Sequence, residues 1–382
     1  MESSAVTFLG IAACFAAAIY GSFHLLLAIG LMRRPSRHER RAGDVSVIVA
    51  ARNESDHIGV LLEALRAQTR RPEEIIIVDD RSDDGTGEIV ESYRSGLPAL
   101  RLIRVNELPA GAAPKKHALE TGIAASAGEI LCFTDADCIP PPHWLQRVES
   151  LFSPDTGVVV GMYAPVWEAD ESGLSFARGI LRRFIDYERF KTSALAAGSA
   201  GLRFPWLASG SNLSYRRTVF NEVGGFTGQH GSLSGDDDLF VQRVRRATQW
   251  QVVALTDPEA TVRTLLPSRW RAFLRQRMRH FSAGRWYDPA AMTLLAFYHG
   301  SNSLATLALL GAILYPSSIF LTAYVGKVCA DLILLAAGDM RLRRASAWAW
   351  FLPLELMNVF FVAVAGPIGL LARVRWKERM TS

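Results

Sequence analysis

The sequence predicts an α/β domain with a mostly parallel central sheet, carried between transmembrane helices at both ends and accompanied by interfacial helices. Three features predict it. Short apolar runs of strand type alternate with segments of helical periodicity between residues 44 and 133, the pattern of a parallel sheet covered by helices. Apolar stretches long enough to cross a bilayer occupy the two ends. Acidic residues close two strands, at Asp79-Asp80 and at Asp135-Ala136-Asp137, and open α/β sheets bind ligands at the carboxyl ends of their strands.

The chain has 382 residues, a formal charge of +5 and 49% hydrophobic content, with a mean hydropathy of +0.14. That is too apolar for an ordinary soluble enzyme and fits one substantial globular domain plus several helices in lipid. Cys14, Cys132, Cys138 and Cys329 are scattered. They make no disulfide framework and no zinc spacing, and their apolar surroundings suit a reducing compartment. Positive charge gathers beside the apolar segments, which is a membrane-orientation pattern. No aromatic RNA-binding motif and no DNA-reading basic arm is present, which speaks against nucleic acid as a partner.

Val6 to Met32 is apolar, and Arg33, Arg34, Arg37, Arg40 and Arg41 follow it directly. A cleaved signal would carry its charges ahead of the apolar run. Residues 1–34 therefore read as a retained anchor in an inner or cytoplasmic membrane, with the N-terminus outside and the following domain, 35–265, in the cytosol.

Val45, Val47 and Val49 alternate with Ile48 as in a buried strand ending at Ala51-Arg52-Asn53-Glu54. Ile58 to Ala67 has helical spacing. Glu74 to Val78 is a second strand, Leu100 to Val105 a weaker third, and Lys115 to Ala127 a helix leading to the strand Ile130 to Phe133. Two carboxylates one residue apart, just past that strand, can face a common hard cation that also binds a diphosphate; the same pair could simply cap the turn at Pro140-Pro141-Pro142. There is no GxGxxG after the first strand and no GxxxxGK[ST], which argues against a dinucleotide dehydrogenase and a P-loop NTPase. Asp79-Asp80 can instead accept hydrogen bonds from a base or ribose, and Asp135 with Asp137 can manage a diphosphate through a metal. That division of labour suits a sugar nucleotide.

Gly157 to Gly161 is a further strand. Gly173 to Gly198 carries Arg178, Arg182, Arg183 and Lys191 among apolar residues at helical spacing, so it reads either as an amphipathic helix at the cytosolic membrane surface or as a domain helix with a solvated basic face. Trp206 to Asn212 is a loop of aromatic, small and amide residues that a sugar can approach. Arg216 and Arg217 read as surface charges at a helix start, and Gly228 to Gly235 as a flexible loop on the acceptor side. Asp236-Asp237-Asp238 opens a helix, either as its cap or as a source of a general base. Residues 266–290 include WRAFLRQRMRHFSAGR, an interfacial helix with snorkelling arginines in which Gln276 and Arg279 share a face.

The C-terminal region, 291–382, holds candidate spans at about 293–314, 316–338 and 348–371. Ser301, Asn302 and Ser303 weaken the first, Pro316 separates the first two, and Asp331 and Glu355 must face protein or a cavity. Arg341, Arg343 and Arg344 suit a cytosolic loop. Three complete spans would put Arg373, Arg375 and Lys377 outside, against the positive-inside tendency. The reading is two to three spans, with one segment re-entrant or interfacial.

With these segments in order, the chain resembles the family-2 inverting glycosyltransferases of the GT-A fold, particularly the membrane-bound processive and ceramide-glucosyltransferase-like branches. The resemblance runs through VSVIVAARNES (45–55), IIIVDDRSDDGT (75–86), PKKHALETGIAASAGEILCFTDAD (114–137), WLASGSNLSYRRTVFNEVGGF (206–226), SGDDDLFVQRV (234–244) and a variant QxxRW at Gln276 to His280. It implies that Ala51, Glu54 and Asp80 contact the nucleotide, with Asp80 at the uridine or ribose. It implies that Lys116 is the basic residue beside the sugar nucleotide. Asp135 and Asp137 match the DxD pair that holds Mg²⁺ or Mn²⁺, with Asp137 the direct ligand. Asp236 matches the general base, with Asp237 the fallback. Gln276 and Arg279 close over the diphosphate. Two departures stand out: Gly235 replaces the Glu usual in the acidic motif, and His280 replaces the Trp of QxxRW that shapes the acceptor site. The implied reaction is metal-dependent, inverting transfer of a sugar, glucose from UDP-glucose being the family expectation, to a hydroxyl of a membrane lipid. The alternatives are a processive polysaccharide synthase, transfer to a polyprenyl phosphate, and a non-catalytic scaffold.

Overall fold

The computed structural model describes residues 2–38, 42–167, 175–265, 269–315, 317–343, 348–371, 375–376 and 379–380. Arg40, Arg41, Gly173, Pro316, Arg344, Arg373 and Lys377, which entered the sequence reading, lie outside the described residues. A long helix, α1 (Glu2–Met32), comes first. The alternating segments then form β1 (Val45–Ala51), α2 (Ile58–Arg66), β2 (Glu74–Asp80), α3 (Thr86–Ser92), β3 (Leu100–Val105), α4 (Pro114–Ala125) and β4 (Ile130–Phe133). After these come β5 (Cys138–Ile139), α5 (Trp144–Glu149), β6 (Thr156–Gly161), β7 (Tyr163–Val166), α6 (Phe176–Gly201), β8 (Leu213–Arg216), α7 (Arg217–Glu222), α8 (Asp238–Ala247), β9 (Gln251–Leu255) and β10 (Val262–Leu265). The chain then runs through α9 (Trp270–Ser282), α10 (Pro289–Leu314), α11 (Ser318–Leu342) and α12 (Phe351–Leu371).

Seven strands form one sheet in the order β3-β2-β1-β4-β8-β6-β9. Its first four strands are parallel, β8 runs antiparallel to both neighbours, and β6 pairs parallel with β9. The sheet is thus mixed but mostly parallel, with helices on both faces, consistent with a GT-A fold. A smaller sheet, β5-β10-β7, stands at its carboxyl edge. The alternation read in the sequence maps onto two cores: Val45, Val47, Val49, Ile75 and Ile77 face one, Ile48, Ile76 and Val78 the other, as the two-residue period of a strand requires.

Among the described residues, three helical stretches are long and apolar enough to cross a membrane: Ser4–Met32, Ser318–Leu342 and Trp348–Leu371. α10, weakened by its serines and asparagine, buries Ser301 and Asn302 and still packs in the bundle against α1 and α11. α1 and α11 run side by side in the same direction: a Cβ on Gly10 would meet Ile319, and one on Gly21 would meet Ala330. The N-terminal helix does not stand apart from the sheet. Leu27, Ala28 and Leu31 belong to the same buried cluster as Ile48, Leu131 and Phe240.

α6 divides the basic residues of its segment. Arg178 and Arg183, near its start, are exposed and Arg182 is half-buried, whereas Glu188, Arg189 and Lys191 are buried where the helix lies between the sheet and the helical bundle. A buried Cβ on Gly201 would fall 1.9 Å from the carbonyl oxygen of Gly30, so only glycine allows α6 and α1 to touch there. Lys191 reaches Glu355 at 2.7 Å and Asp331 at 3.2 Å, Lys327 reaches the same two at 2.7 and 2.5 Å, and the Tyr20 hydroxyl donates to Asp331 at 2.7 Å. Each buried charge therefore has a partner, as burial demands. Arg216 and Arg217 also differ from the surface role expected: they donate to the carbonyls of Thr156, Ser153, Gly128 and Ile123 and so bind loops together.

α12 returns toward the sheet and α9 at its far end. Near its start Trp348 donates to Asp339 at the end of α11 at 2.6 Å. At its finish Gly369 packs on Phe281, and Arg285 donates to the Leu370 carbonyl. Three residues later Asp288 pairs with Arg245 of α8 at 2.5 Å.

Candidate active site

The carboxyl ends of β1, β2 and β4 lie along one edge because the strands are parallel and in register: Ala51 pairs with Asp79, and Ile48 with Phe133. The loops after β1 and β2 are tied together. The backbone N–H groups of Asn53, Glu54 and Ser55 donate to the side chains of Ser82, Thr86 and Asp84, each at 2.9 Å. Asp80 is buried and accepts both Arg81 Nε and Nη2, at 2.8 and 3.1 Å. A base or ribose reaching Asp80 must therefore deal with Arg81. Glu54 accepts from His57 at 3.1 Å.

Past β4, Asp135 is held from two sides: Lys115 Nζ lies 2.8 Å from Oδ1, and Ser211 Oγ donates to Oδ2 at 2.7 Å. Ligand atoms of Asp135, Asp137 and Cys138 lie within 4.8 Å of one another. Burial, with the negative charges of Asp135 and Glu54, pushes the Asp137 carboxyl up to about 6. That excess of negative charge is the mark of a cation site. Burial raises the Cys138 thiol too, so it stays protonated and is a poor ligand. The two carboxylates offer the oxygen donors that Mg²⁺ or Mn²⁺ takes.

The acidic run is divided by its backbone. α8 begins at Asp238, not at Asp236: Asp237 is the cap, accepting from the N–H of Asp238 at 2.8 Å and of Gly210 at 2.9 Å. Asp238 accepts from Tyr287 at 2.5 Å and from the Ala208 N–H at 2.7 Å. Asp236 lies ahead of the cap, where its carboxylate meets Lys115 at 3.0 Å. Burial alone would raise Asp236, yet Lys115 and Lys116 hold it below the usual carboxylate range. Burial and the charge of Asp236 raise Asp237. Gly235 has φ +81°, and a Cβ there would fall 2.9 Å from Leu239. A left-handed backbone in so tight a place explains why this chain has no Glu at that position.

Lys116 is placed differently from its neighbour. Its ammonium donates to the carbonyls of Gln229, Ser232 and Ser234 at 3.1, 2.8 and 2.9 Å, which fixes the glycine-bounded loop leading to Asp236. Burial lowers it to about 8. Lys115, which the sequence did not single out, is the group joining Asp135 to Asp236. Gly210 was missed as well: a Cβ there would lie 3.0 Å from Lys115 Nζ and 3.1 Å from Asp236. Asn212 locks the same loop, accepting from Trp144 Nε1 at 2.8 Å and donating to the carbonyls of Met162 and Ala260 at 2.8 and 2.9 Å.

α9 covers the cleft. Arg279 is half-buried and sits in the field of Asp236, Asp135, Asp237 and Asp137; desolvation nonetheless lowers it. Burial and the guanidinium groups of Arg279, Arg277 and Arg189 depress His280, so its imidazole is neutral. Gln276 does not face the acids alone: its Oε1 accepts from Arg189 at 3.4 Å. Arg277 pairs with Glu188.

Residues 46–222 match the family model described as Glycosyl transferase family 2. A probable glycosyltransferase, YdaM, of Bacillus subtilis is 28% identical over 244 residues, covering 62% of this chain and 54% of its own length. A beta-monoglucosyldiacylglycerol synthase of Synechocystis is 28% identical over 217 residues, 56% of this chain and 42% of that protein. The chain spans about half the length of the curated relatives it matches. Among solved structures, the mannosyltransferase PcManGT of Pyrobaculum calidifontis, in complex with GDP-Man and Mn²⁺, superposes with a TM-score of 0.60 at 20% identity, over 98% of this chain and 100% of that one. That likeness is one of fold.

Proposed function

From a chain whose residues 46–222 match the glycosyl transferase family 2 model, we propose metal-dependent, inverting transfer of a sugar from a nucleotide sugar, UDP-glucose by preference, to a hydroxyl of a membrane lipid. The observation that carries this reading is the string Asp137, Asp135, Lys115, Asp236 along one cleft, under Arg279 and against the membrane helices. The Synechocystis relative, named for glucosylation of a diacylglycerol, supports the choice of sugar and of acceptor.

Asp135 and Asp137 would hold the divalent ion. When bound, that ion offsets charge gathering on the departing diphosphate. Arg279 adds a fixed positive charge on the same side. Ala51, Glu54 and Asp80 line the nucleotide end, and Gln276 orients Arg189 beside the covering helix. Asp236, kept ionised by Lys115, takes the proton of the acceptor hydroxyl as its oxygen bonds to the anomeric carbon. The bond from that carbon to the diphosphate oxygen breaks in the same displacement, so the centre inverts. Asp237 is less suited to this work, since its oxygens serve the helix cap and Gly210.

A phosphate-bearing lipid acceptor is the second reading, favoured by Arg189, Arg277 and Arg279 gathered on one side of the cleft with Glu188 the paired acid. His280, neutral and half-buried, offers no Trp-like platform for a sugar chain, which disfavours a processive synthase. Purified protein incubated with a panel of nucleotide sugars, diacylglycerol, sterol, ceramide and polyprenyl phosphate, followed by mass spectrometry of the lipids, tests the choice. A single hexose on a hydroxyl lipid is expected; a hexose on polyprenyl phosphate moves the assignment to the second reading, and long polymers reject both.

A further inference from the structure

A cleft of about 660 Å³ opens where α1 and α11 end against the catalytic domain. Arg34 stands just past α1, Arg341 and Arg343 at the end of α11, Arg147 on α5, and residues 254–259 form the far wall. The cleft is separate from the candidate active site, for none of Lys115, Asp135, Asp236 or Arg279 lines it. Five arginines, with Arg37 the fifth, face two carboxylates, Asp257 and Glu259. Both carboxylates are already engaged: Arg37 lies 2.7 Å and Arg147 3.4 Å from Asp257, and Arg147 also pairs with Glu259.

Arg34, Arg341 and Arg343 have no ion-pair partner among the described residues. Arg341 Nε is buried with no hydrogen-bond acceptor among them, a state that costs free energy until an acceptor arrives. Like charges drawn together at one spot call for an anion. The place of the cleft says which kind. α1 and α11 are two of the stretches long and apolar enough to cross a membrane, they run in the same direction, and the cleft sits at their common end. That is headgroup depth. Met340, 71% exposed, lines the rim and gives an acyl chain an apolar surface.

We propose that this cleft binds the phosphate of an anionic membrane phospholipid, with Arg34, Arg341 and Arg343 as its donors. It is not the acceptor site, because its only carboxylates are held by arginines and neither is placed to take a proton. A lipid seated there clasps the ends of α1 and α11 to the segment before β10. The Ala260 carbonyl of that segment receives Asn212, next to Ser211 and its bond to Asp135. The lipid thus braces one wall of the catalytic cleft at the bilayer surface.

Native mass spectrometry of the full-length protein in neutral detergent, titrated with phosphatidic acid or phosphatidylcholine, reads the site directly. Wild type is expected to retain phosphatidic acid in preference to phosphatidylcholine, whose choline cancels the charge. The double variant R34Q/R341Q should retain phosphatidic acid about tenfold more weakly, the loss expected when charge-assisted hydrogen bonds are removed. Glu259→Gln releases Arg147 and should tighten retention, an outcome that misfolding cannot produce. The proposal requires both changes; equal retention in wild type and R34Q/R341Q, or no gain in Glu259→Gln, overturns it. Inorganic phosphate added as competitor separates the sources. A lipid site keeps its phosphatidic acid, whereas displacement by inorganic phosphate alone marks a free-phosphate site and overturns the assignment to a lipid.

Discussion

Lys115 is ion-paired with Asp236 at 3.0 Å while it also holds Asp135 at 2.8 Å. One ammonium thus joins the metal-binding side of the cleft to the candidate base. It keeps Asp236 ionised where burial alone would favour the neutral acid. Lys115→Met removes that support. The acid limb of the pH profile of kcat should then move to higher pH, because the base must be deprotonated and its pKa is no longer held down. A profile that falls in height without moving would mean that Lys115 serves the donor and not Asp236.

Asp236→Asn should lower the chemical step by about 10²–10⁴-fold, the usual contribution of a positioned base, with donor affinity little changed. Asp237→Asn should act mainly on stability, since its carboxylate caps α8; loss of a cap costs about 1 kcal/mol. Single-turnover transfer alongside equilibrium donor binding separates the two. A dead Asp237→Asn and an active Asp236→Asn would exchange their roles.

The raised Asp137 carboxyl makes a pair of opposite forecasts. Metal binding needs the carboxylate, so Mn²⁺ affinity should hold above about pH 6 and fall as protons compete below it. Without metal the sign reverses for the fold. An acid whose folded pKa is raised binds protons on folding, so stability is present at low pH and is lost as pH rises through about 6. Asp137→Asn should therefore nearly abolish transfer and yet raise the Tm of the metal-free protein at pH 7.5. Electron paramagnetic resonance of Mn²⁺ and thermal melts across pH give both readings; full activity in excess chelator would remove the metal from the scheme.

α12 begins beside the end of α11 and finishes beside α9, and both places adjoin the catalytic domain. A helix tied at both ends to one side is expected to lie along the membrane surface and not to cross it. Leu371→Cys should accordingly be labelled in oriented vesicles from the same side as Arg94→Cys in the catalytic domain, and Tyr315→Cys between α10 and α11 from the opposite side. Labelling of Leu371→Cys with Tyr315→Cys would restore the helix to a complete span.

The sheet and its acidic edge were legible because they are written in period and punctuation. Alternating Val45, Val47 and Val49 against Ile48 could serve only a two-faced strand, and the carboxylates closing β2 and β4 stand where parallel strands end. What failed to show was direction. Lys115 and Lys116 are neighbours on α4, about 100° apart around a helix, and no local pattern says which one enters the cleft. Lys191 of α6 looks like part of the same wet face as Arg178 and Arg183 until the helical bundle closes over it. Asp80 closes β2 where the strand pattern puts it, but its engagement by Arg81 depends on the left-handed turn at that arginine, φ +59°. The helix boundary inside Asp236-Asp237-Asp238 turned on Gly235, whose positive φ decides which acid is the cap.

Leu27, Ala28 and Leu31 of the first helix wall the core beneath the sheet, and that helix in turn lies along α11, near the other end of the chain. The order of synthesis then matters. The ribosome makes the first helix before any strand and α11 after the last of the seven strands, so the catalytic sheet forms against a partner whose own far side is still bare. Only when α11 emerges does Asp331 meet Lys191 and Tyr20. Closure of that buried charge cluster is therefore a late event, timed by the arrival of α11 and not by completion of the strands.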